Sequence, residues 1–442
     1  MITQYYRCPQ GLVDLGVEGH LNGSRGFFRF GADAVCYGQA VGNTRPYVNG
    51  NLFDALQAVR LDENKVLLPF DVDQVLNNLR YERYVTDGGS WLEARWAKDA
   101  YYKLRPYLPV GLRKHLQRVY LRGWEARTFP NWPVDRSVDI LFEQVATLAL
   151  RASNRDRFPF IWFWPEGRKA CAILTHDIET KAGRDLTGKL MDIDDSFGIK
   201  ASIQIVPEKR YTVSEAFLDS IRARGFEINV HGLDHDGNLF KDRDKFLESA
   251  KRINEYAVKF GSRGFRSPTM YRNVDWLRDL NFSYDMSIPN VARLEPQYGG
   301  CCTVMPYFLP GGMLELPLTT TQDYTLFNVL NDYSMALWRQ QIALIHCGHG
   351  LISLIIHPDY VFSSRAQDIY RQLMEDVCRL QSDGEVWLTL PGEVDRWWRQ
   401  RCEMNLVQAG SGWVIEGPGS ERARLAYARL DGDRLVYEIQ ES

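Results

Sequence analysis

The chain of 442 residues carries 53 Lys and Arg against 56 Asp and Glu, for a formal net charge of −3, and is 45% hydrophobic and 25% charged. That near-neutral, ordinary globular composition offers no basic surface of the kind nucleic acid needs, so no nucleic-acid partner is expected. No apolar run reaches the ~18–20 residues of a membrane span, and Met1–Cys8 lacks a basic segment followed by an apolar one. The eight cysteines are scattered without a CxxC pair, so reduced thiols and a cytoplasmic location are the expectation.

The length exceeds one typical domain, and the texture divides the chain in three. Residues 1–165 form an N-terminal mixed α/β region of unassigned role. In it Arg25–Gly38 has strand character, and Gln74–Tyr84 is predicted helical after a cap in Asp71-Val72-Asp73. A Pro-interrupted stretch, Arg105–Pro133, leads out of the region. Overlapping it, Lys103–Arg127 sets seven Lys and Arg against one acid. A solvated helix face is the favoured reading, and weak contact with a membrane surface or an anionic glycan is the alternative.

From Lys169 to Trp397 apolar runs alternate with amphipathic patterns. The predicted strands are Ala170–His176, Ala201–Val206, Glu227–His231, Gly264–Ser267, Phe282–Ser287, Leu314–Leu318, Leu351–His357 and Val386–Leu390. Predicted helices are Ser214–Arg224, Asp242–Phe260, Asn273–Leu280, Asp332–Ile345 and Arg365–Leu380. Gly225, Gly261 and Gly384 stand at or near three of their ends. This alternation implies a parallel sheet, and seven or eight strands imply a closed or nearly closed barrel over residues 166–401. Residues 402–442 change again. Gly412–Glu416, Arg424–Leu430 and Arg434–Ile439 alternate around the hairpin dipeptide Asp431-Gly432, which predicts a small antiparallel β appendage.

Three segments carry chemistry, each at the C-terminal end of a predicted strand: Thr175-His176-Asp177-Ile178-Glu179, His231-Gly232-Leu233-Asp234-His235 and Ile355-Ile356-His357-Pro358. Strand mouths are where α/β barrels keep their reactive groups. Side chains alternate along a strand, so Asp177 and Glu179 share one face while His176 and Ile178 take the other. Two carboxylates on one face can divide the work of metal ligand and general base. His231 and His235, four apart where a strand gives way to a loop, can reach one ion. A second pair, His346 and His349, sits at a helix end, where capping or packing is the simpler role. His357 taken alone has the reading of a satisfied buried histidine. Asp285 and Gln322-Asp323-Tyr324 are further polar groups at strand mouths, with loop capping as an equal reading.

Together these residues resemble the polysaccharide deacetylases (the NodB-homology, carbohydrate esterase 4 group). That family's order is a Thr-Phe-Asp-Asp-type strand end, His-x-x-x-His, Arg-x-Pro, and a final histidine after an aliphatic strand. Here these are Thr175–Asp177, His231–His235, Arg266-Ser267-Pro268 and Leu354–His357, spread over about half of the chain. The resemblance implies a distorted (β/α) barrel that hydrolyses an acetyl amide or ester on a sugar, with one divalent metal, zinc, as cofactor. It implies Asp177 as general base, His231 and His235 as metal ligands, His357 as general acid, and Arg266 as the residue holding the base. Where the common pattern has a second Asp, this chain has Ile178, which cannot ligate. Some branches place the ligand two residues after the base, which makes Glu179 the third ligand; the reverse division between Asp177 and Glu179 is the alternative.

The expected activity is therefore that of a hydrolase of non-peptide carbon–nitrogen bonds acting on an acetylated sugar or glycan. A small-molecule amidohydrolase on the same barrel is one competing reading. A catalytically inactive carbohydrate-binding or scaffold protein is the other, kept open by Ile178.

Overall fold

The computed structural model describes residues 2–12, 14–85, 121, 123–410 and 412–440. After Lys169 each apolar run becomes a strand: β1 (Ala170–Ile178), β2 (Ser202–Ile205), β3 (Glu227–His231), β4 (Gly264–Arg266), β5 (Tyr284–Asp285), β6 (Tyr307–Phe308), β7 (Leu314–Glu315), β8 (Leu351–Ile356) and β9 (Val386–Thr389). Hydrogen bonds order them β6-β7-β5-β4-β3-β2-β1-β8, with β9 also paired to β1. Every pair is parallel except β6 with β7. All eight predicted strands are present, and β6 is the one the pattern did not predict.

The sheet curls into a distorted barrel. Its path does not close between β8 and β6 among the described residues. Instead the segment after β7 runs beside β8, where Thr319 and Thr320 donate their hydroxyls to the Leu351 and Ser353 carbonyls, each at 2.7 Å. Side-chain bonds replace a backbone ladder at this seam.

Around the sheet lie α1 (Lys181–Ser196), α2 (Glu215–Arg222), α3 (Arg243–Phe260), α4 (Ala336–Cys347), α5 (Ser364–Ser382) and α6 (Pro391–Glu403). Thr180, Ser214, Asp242 and Ser363 each accept a backbone N–H at a helix start, an interaction worth about 1 kcal/mol apiece. Helix α3 buries Phe246, Ala250, Ile253, Ala257 and Phe260, the stripe its spacing predicts, and ends at Gly261 in the left-handed conformation. The predicted helix at Asn273–Leu280 shrinks to a single 3-10 turn, Leu277–Asp279. There the Asn273 side chain accepts the Asp275 N–H and gives the backbone an alternative to helix.

Alternation along β1 separates two environments. Ala170, Ala172, Leu174 and Ile178 join the core beneath the helices, while Cys171 and Ile173 join the other core. Thr175 and Asp177 continue the inner row toward the strand mouth.

The described residues before the barrel pack closely on it. Asp135 and Asn290 exchange two buried hydrogen bonds, Tyr84 donates to the Gly300 carbonyl, and Arg272 of the barrel is paired with Glu82. The predicted strand material is a hairpin of Gly26–Phe30 and Ala34–Gly38. The predicted helix is Val72–Arg80, capped by Asp71. Strand Arg157–Ile161 pairs antiparallel with Leu425–Asp431, which pairs with Arg434–Ile439, so residues before and after the barrel build one sheet. Asn405–Ala409 and Gly412–Glu416 form a further antiparallel pair. Trp162, Trp164, Trp338 and Trp397 are fully buried, so these aromatics fill cores. The basic stretch Lys103–Arg127 lies, but for a few residues at its end, outside the described residues. Among those described, no helix is long and apolar enough to cross a membrane.

Candidate active site

The mouth of β1 presents Asp177 and, just beyond the strand, Glu179. From β3 and the turn after it come His231 and His235. Gly232 makes that turn possible in two ways. Its φ is 63°, and a Cβ there would stand 2.2 Å from Pro268 Cγ. His235 also adopts the left-handed region, at φ 54°. Such backbone is costly for a residue with a side chain and persists only where packing enforces it. The two bends turn both imidazoles onto Glu179.

Glu179 Oε1 lies 2.8 Å from His235 Nε2, 3.8 Å from His231 Nε2 and 3.5 Å from His357 Nε2. Donor atoms of Glu179, His231 and His235 all fall within 4.8 Å of one another, the one such group of three metal-ligating side chains among the described residues. His231 donates Nδ1–H to the Arg266 carbonyl at 3.1 Å, which turns its Nε2 toward the cluster. Neither His231 Nε2 nor His235 Nε2 has a hydrogen-bond partner, the 2.8 Å approach to Glu179 being out of line for one. Two buried ring nitrogens left bare beside a carboxylate, with the opposite nitrogen of His231 anchored, fit a bound divalent ion. Two imidazoles and one carboxylate are a donor set suited to zinc that leaves coordination positions open.

Asp177 belongs to the same face but to a different set of bonds. Its Oδ1 accepts from Arg266 Nη1 at 2.8 Å, and its Oδ2 lies 3.7 Å from His231 Nε2. Arg266 is fully buried. It also donates from Nη1 to Thr175 Oγ1 at 2.7 Å and from Nε to the Met286 carbonyl at 3.1 Å. Burial alone would raise the Asp177 pKa, but the Arg266 charge, with His231 and His357, outweighs it and holds the carboxyl below its ordinary value. Burial likewise opposes ionisation of Glu179, and the three histidines overcome it and hold that carboxyl well below the usual range. Burial pushes His235 down toward the neutral form that a ligand needs.

His357, at the mouth of β8, is gripped by Asp323. Nδ1–H donates to Asp323 Oδ1 at 2.6 Å and the backbone N–H donates to Oδ2 at 2.8 Å. Burial disfavours the imidazolium, yet Asp323 and Glu179 more than compensate and raise its pKa well above the ordinary histidine value. Tyr360 packs on the ring, with centroids 5.2 Å apart.

All six predicted site residues thus meet at one mouth. Ile178 points away into the outer core, as the alternation requires, and its carbonyl accepts the Tyr211 hydroxyl at 2.6 Å. His176 also points away, with Nε2 2.8 Å from Asp194 Oδ2. Asp285 does not join the site. It is buried beneath it and capped by Ser287. His346 and His349 do not meet at a metal-ligating group: the first bonds Glu385 at 3.0 Å, and the second packs on Trp162 and Tyr437. Asp323, read equally as a loop cap, proves to be the partner of His357. Its only sequence signal is an acid at a strand mouth. Tyr211 had no signal at all.

No family model matches the sequence, and no curated protein does. Among solved structures, the chain is similar to the "putative polysaccharide deacetylase" of Mycobacterium smegmatis, with 18% identity over 57% of this chain and 98% of that one, at TM-score 0.46. It is similar to the PuuE allantoinase, with 15% identity over 53% and 92% of the two chains at TM-score 0.39. Peptidoglycan deacetylase PdaC of Bacillus subtilis follows, with 11% identity over 52% and 93% at TM-score 0.33.

Proposed function

We propose that this chain is a metal-dependent deacetylase that hydrolyses an acetyl amide, or ester, on a sugar or glycan. The observation that carries the reading is the meeting of two separately held groups around one donor cluster. Asp177 is clamped by Arg266, and His357 by Asp323, on either side of Glu179, His231 and His235. A divalent ion held by those three would supply Lewis-acid chemistry, polarising a carbonyl and making water a better nucleophile.

The protein's own groups have distinct tasks. Asp177, kept ionised by Arg266, takes a proton at Oδ2 from the attacking water. His357, kept charged by Asp323, gives a proton from Nε2 to the departing nitrogen or oxygen. Thr175 completes the Arg266 clamp, so the base is held without freedom to turn away. Tyr360 walls the space beside His357 and helps exclude water.

Zinc-loaded protein is expected to release acetate from an N- or O-acetylated sugar, and Asp177→Asn to release none while keeping its zinc. Zinc bound with no acetate from any acetylated sugar would move the reading to a small-molecule amidohydrolase. Absence of zinc after reconstitution would leave the binding or scaffold protein.

A further inference from the structure

Beneath the candidate site two acids face each other with no exposure at all. Asp285 of β5 and Glu315 of β7 are register partners on parallel strands, so their side chains lie next to each other on one face of the sheet. Donors around them are few. Ser287 gives its hydroxyl to Asp285 Oδ1 at 2.6 Å and its N–H to Oδ2 at 3.3 Å, and Ile288 N–H donates to Glu315 Oε1 at 2.9 Å. Glu315 Oε2 meets no donor. Arg272 is the cation whose charge reaches Glu315, and its Nε and Nη2 are bonded to Glu82 instead. Two fully buried carboxyl groups side by side on paired strands, with so few donors around them, cannot both stay ionised.

We propose that Asp285 and Glu315 share one proton, and that this O–H···O pair positions the turn carrying Arg266. The link is short. The Ser287 hydroxyl that donates to Asp285 also accepts the Ser267 N–H at 2.8 Å, and Arg266 Nε donates to the carbonyl of Met286 between them. Residues 285–288 are thus a cradle for Arg266–Pro268. Arg266 in turn clamps Asp177 and, through its carbonyl, orients His231. Asp285 and Glu315 are positioning residues, not catalytic ones, and the proposal rests on the roles given to Asp177 and Arg266 above.

The titration agrees in direction. Burial, and then the neighbouring Asp285, push Glu315 well above the ordinary carboxylate range, and burial raises Asp285. Cys301 and Tyr307, which face Glu315 from the following loop and β6, are both pushed upward and stay neutral. A group raised in the folded state contributes stability that is complete at low pH and lost as pH rises through its folded value.

Glu315→Gln is the discriminating variant, because an amide keeps the Oε1 acceptor and supplies a permanent N–H in place of the shared proton. Thermal midpoints from about pH 6 to about pH 9.5, and hydrogen exchange of segment 264–271, are to be compared in wild type, Glu315→Gln and Glu315→Leu. Wild type is expected to lose midpoint and segment protection toward alkaline pH, and Glu315→Gln to keep both. Glu315→Leu should exchange that segment at least ~10-fold faster at every pH. Equal alkaline slopes in wild type and Glu315→Gln, or unchanged exchange in Glu315→Leu, would overturn the proposal. The first comparison decides alone should Glu315→Leu not fold. Neither readout uses substrate or metal, so failure of the deacetylase reading leaves both standing.

Discussion

Two histidine pairs at strand or helix ends, His231 with His235 and His346 with His349, have almost the same sequence signature and opposite fates. The first pair bends back through Gly232 and a left-handed His235 until both Nε2 atoms lie bare beside Glu179. The second pair bonds elsewhere, to two separate partners. His346 bonds Glu385, and His349 bonds the Lys169 carbonyl and rests on Trp162 and Tyr437. Spacing alone does not make a metal site. What separates the pairs is that only the first brings two bare ring nitrogens together beside one carboxylate.

The comparison breaks most sharply at the ligands. Replacing His231 or His235 with Ala should abolish zinc binding in equilibrium dialysis, while His346→Ala should bind as wild type does. Loss of zinc in His346→Ala would show that the second pair is no mere packing group. Next in size is the base. Asp177→Asn should lower kcat on the order of 10²–10⁴-fold with zinc content unchanged, and a kcat within a few-fold of wild type would exclude that role.

Smaller but more specific is Asp323→Asn. Without its charged partner His357 loses the main influence raising its pKa, so the alkaline limb of the kcat–pH profile should shift to lower pH as the acid deprotonates earlier. An unmoved limb would remove His357 from that limb. Gly232→Ala should destabilise by about 1–2 kcal/mol or more from the left-handed backbone alone, besides its collision with Pro268. Denaturant unfolding with no loss would show the turn to be adaptable. The least effect belongs to His349, whose burial pushes its pKa down to about 4 from an ordinary 6.5. A lowered histidine contributes stability above about 6.5 that is lost as pH falls toward 4. His349→Phe should flatten the stability profile in that window, and an unchanged slope would contradict the assignment.

Much of the fold was legible because strand and helix periods alternate so regularly after Lys169. Glu227–His231 is predicted residue for residue, and α3 buries the stripe its spacing calls for. Strand β6 escaped because a two-residue antiparallel strand leaves no period to detect, and the 16-residue α-helix Ser137–Ala152 of the N-terminal region because Pro130 and Pro133 make its approach look irregular. The long-range joining of Arg157–Ile161 with Leu425–Asp431 was illegible, since pairing partners more than 250 residues apart share no local signal.

In the site, His231, His235 and the two acids at the mouth of β1 were visible from alternation and spacing. Of the groups that hold them, Arg266 was read through the resemblance, and the bonds of the others were not legible. Asp323, Thr175 and Tyr211 act through bonds to residues distant in sequence, and nothing in their neighbours announces those bonds. Asp285 misled for the same reason. An acid at a strand mouth can face the site or lie beneath it, and only the pairing with Glu315 decides.

The central claim is the division of labour between the two carboxylates of β1, and zinc stoichiometry in Glu179→Gln and Asp177→Asn tests it most directly. With Glu179 as ligand and Asp177 as base, wild type and Asp177→Asn should each hold about one ion per chain and Glu179→Gln should hold little. Retention in Glu179→Gln with loss in Asp177→Asn would contradict the account and reverse the two roles.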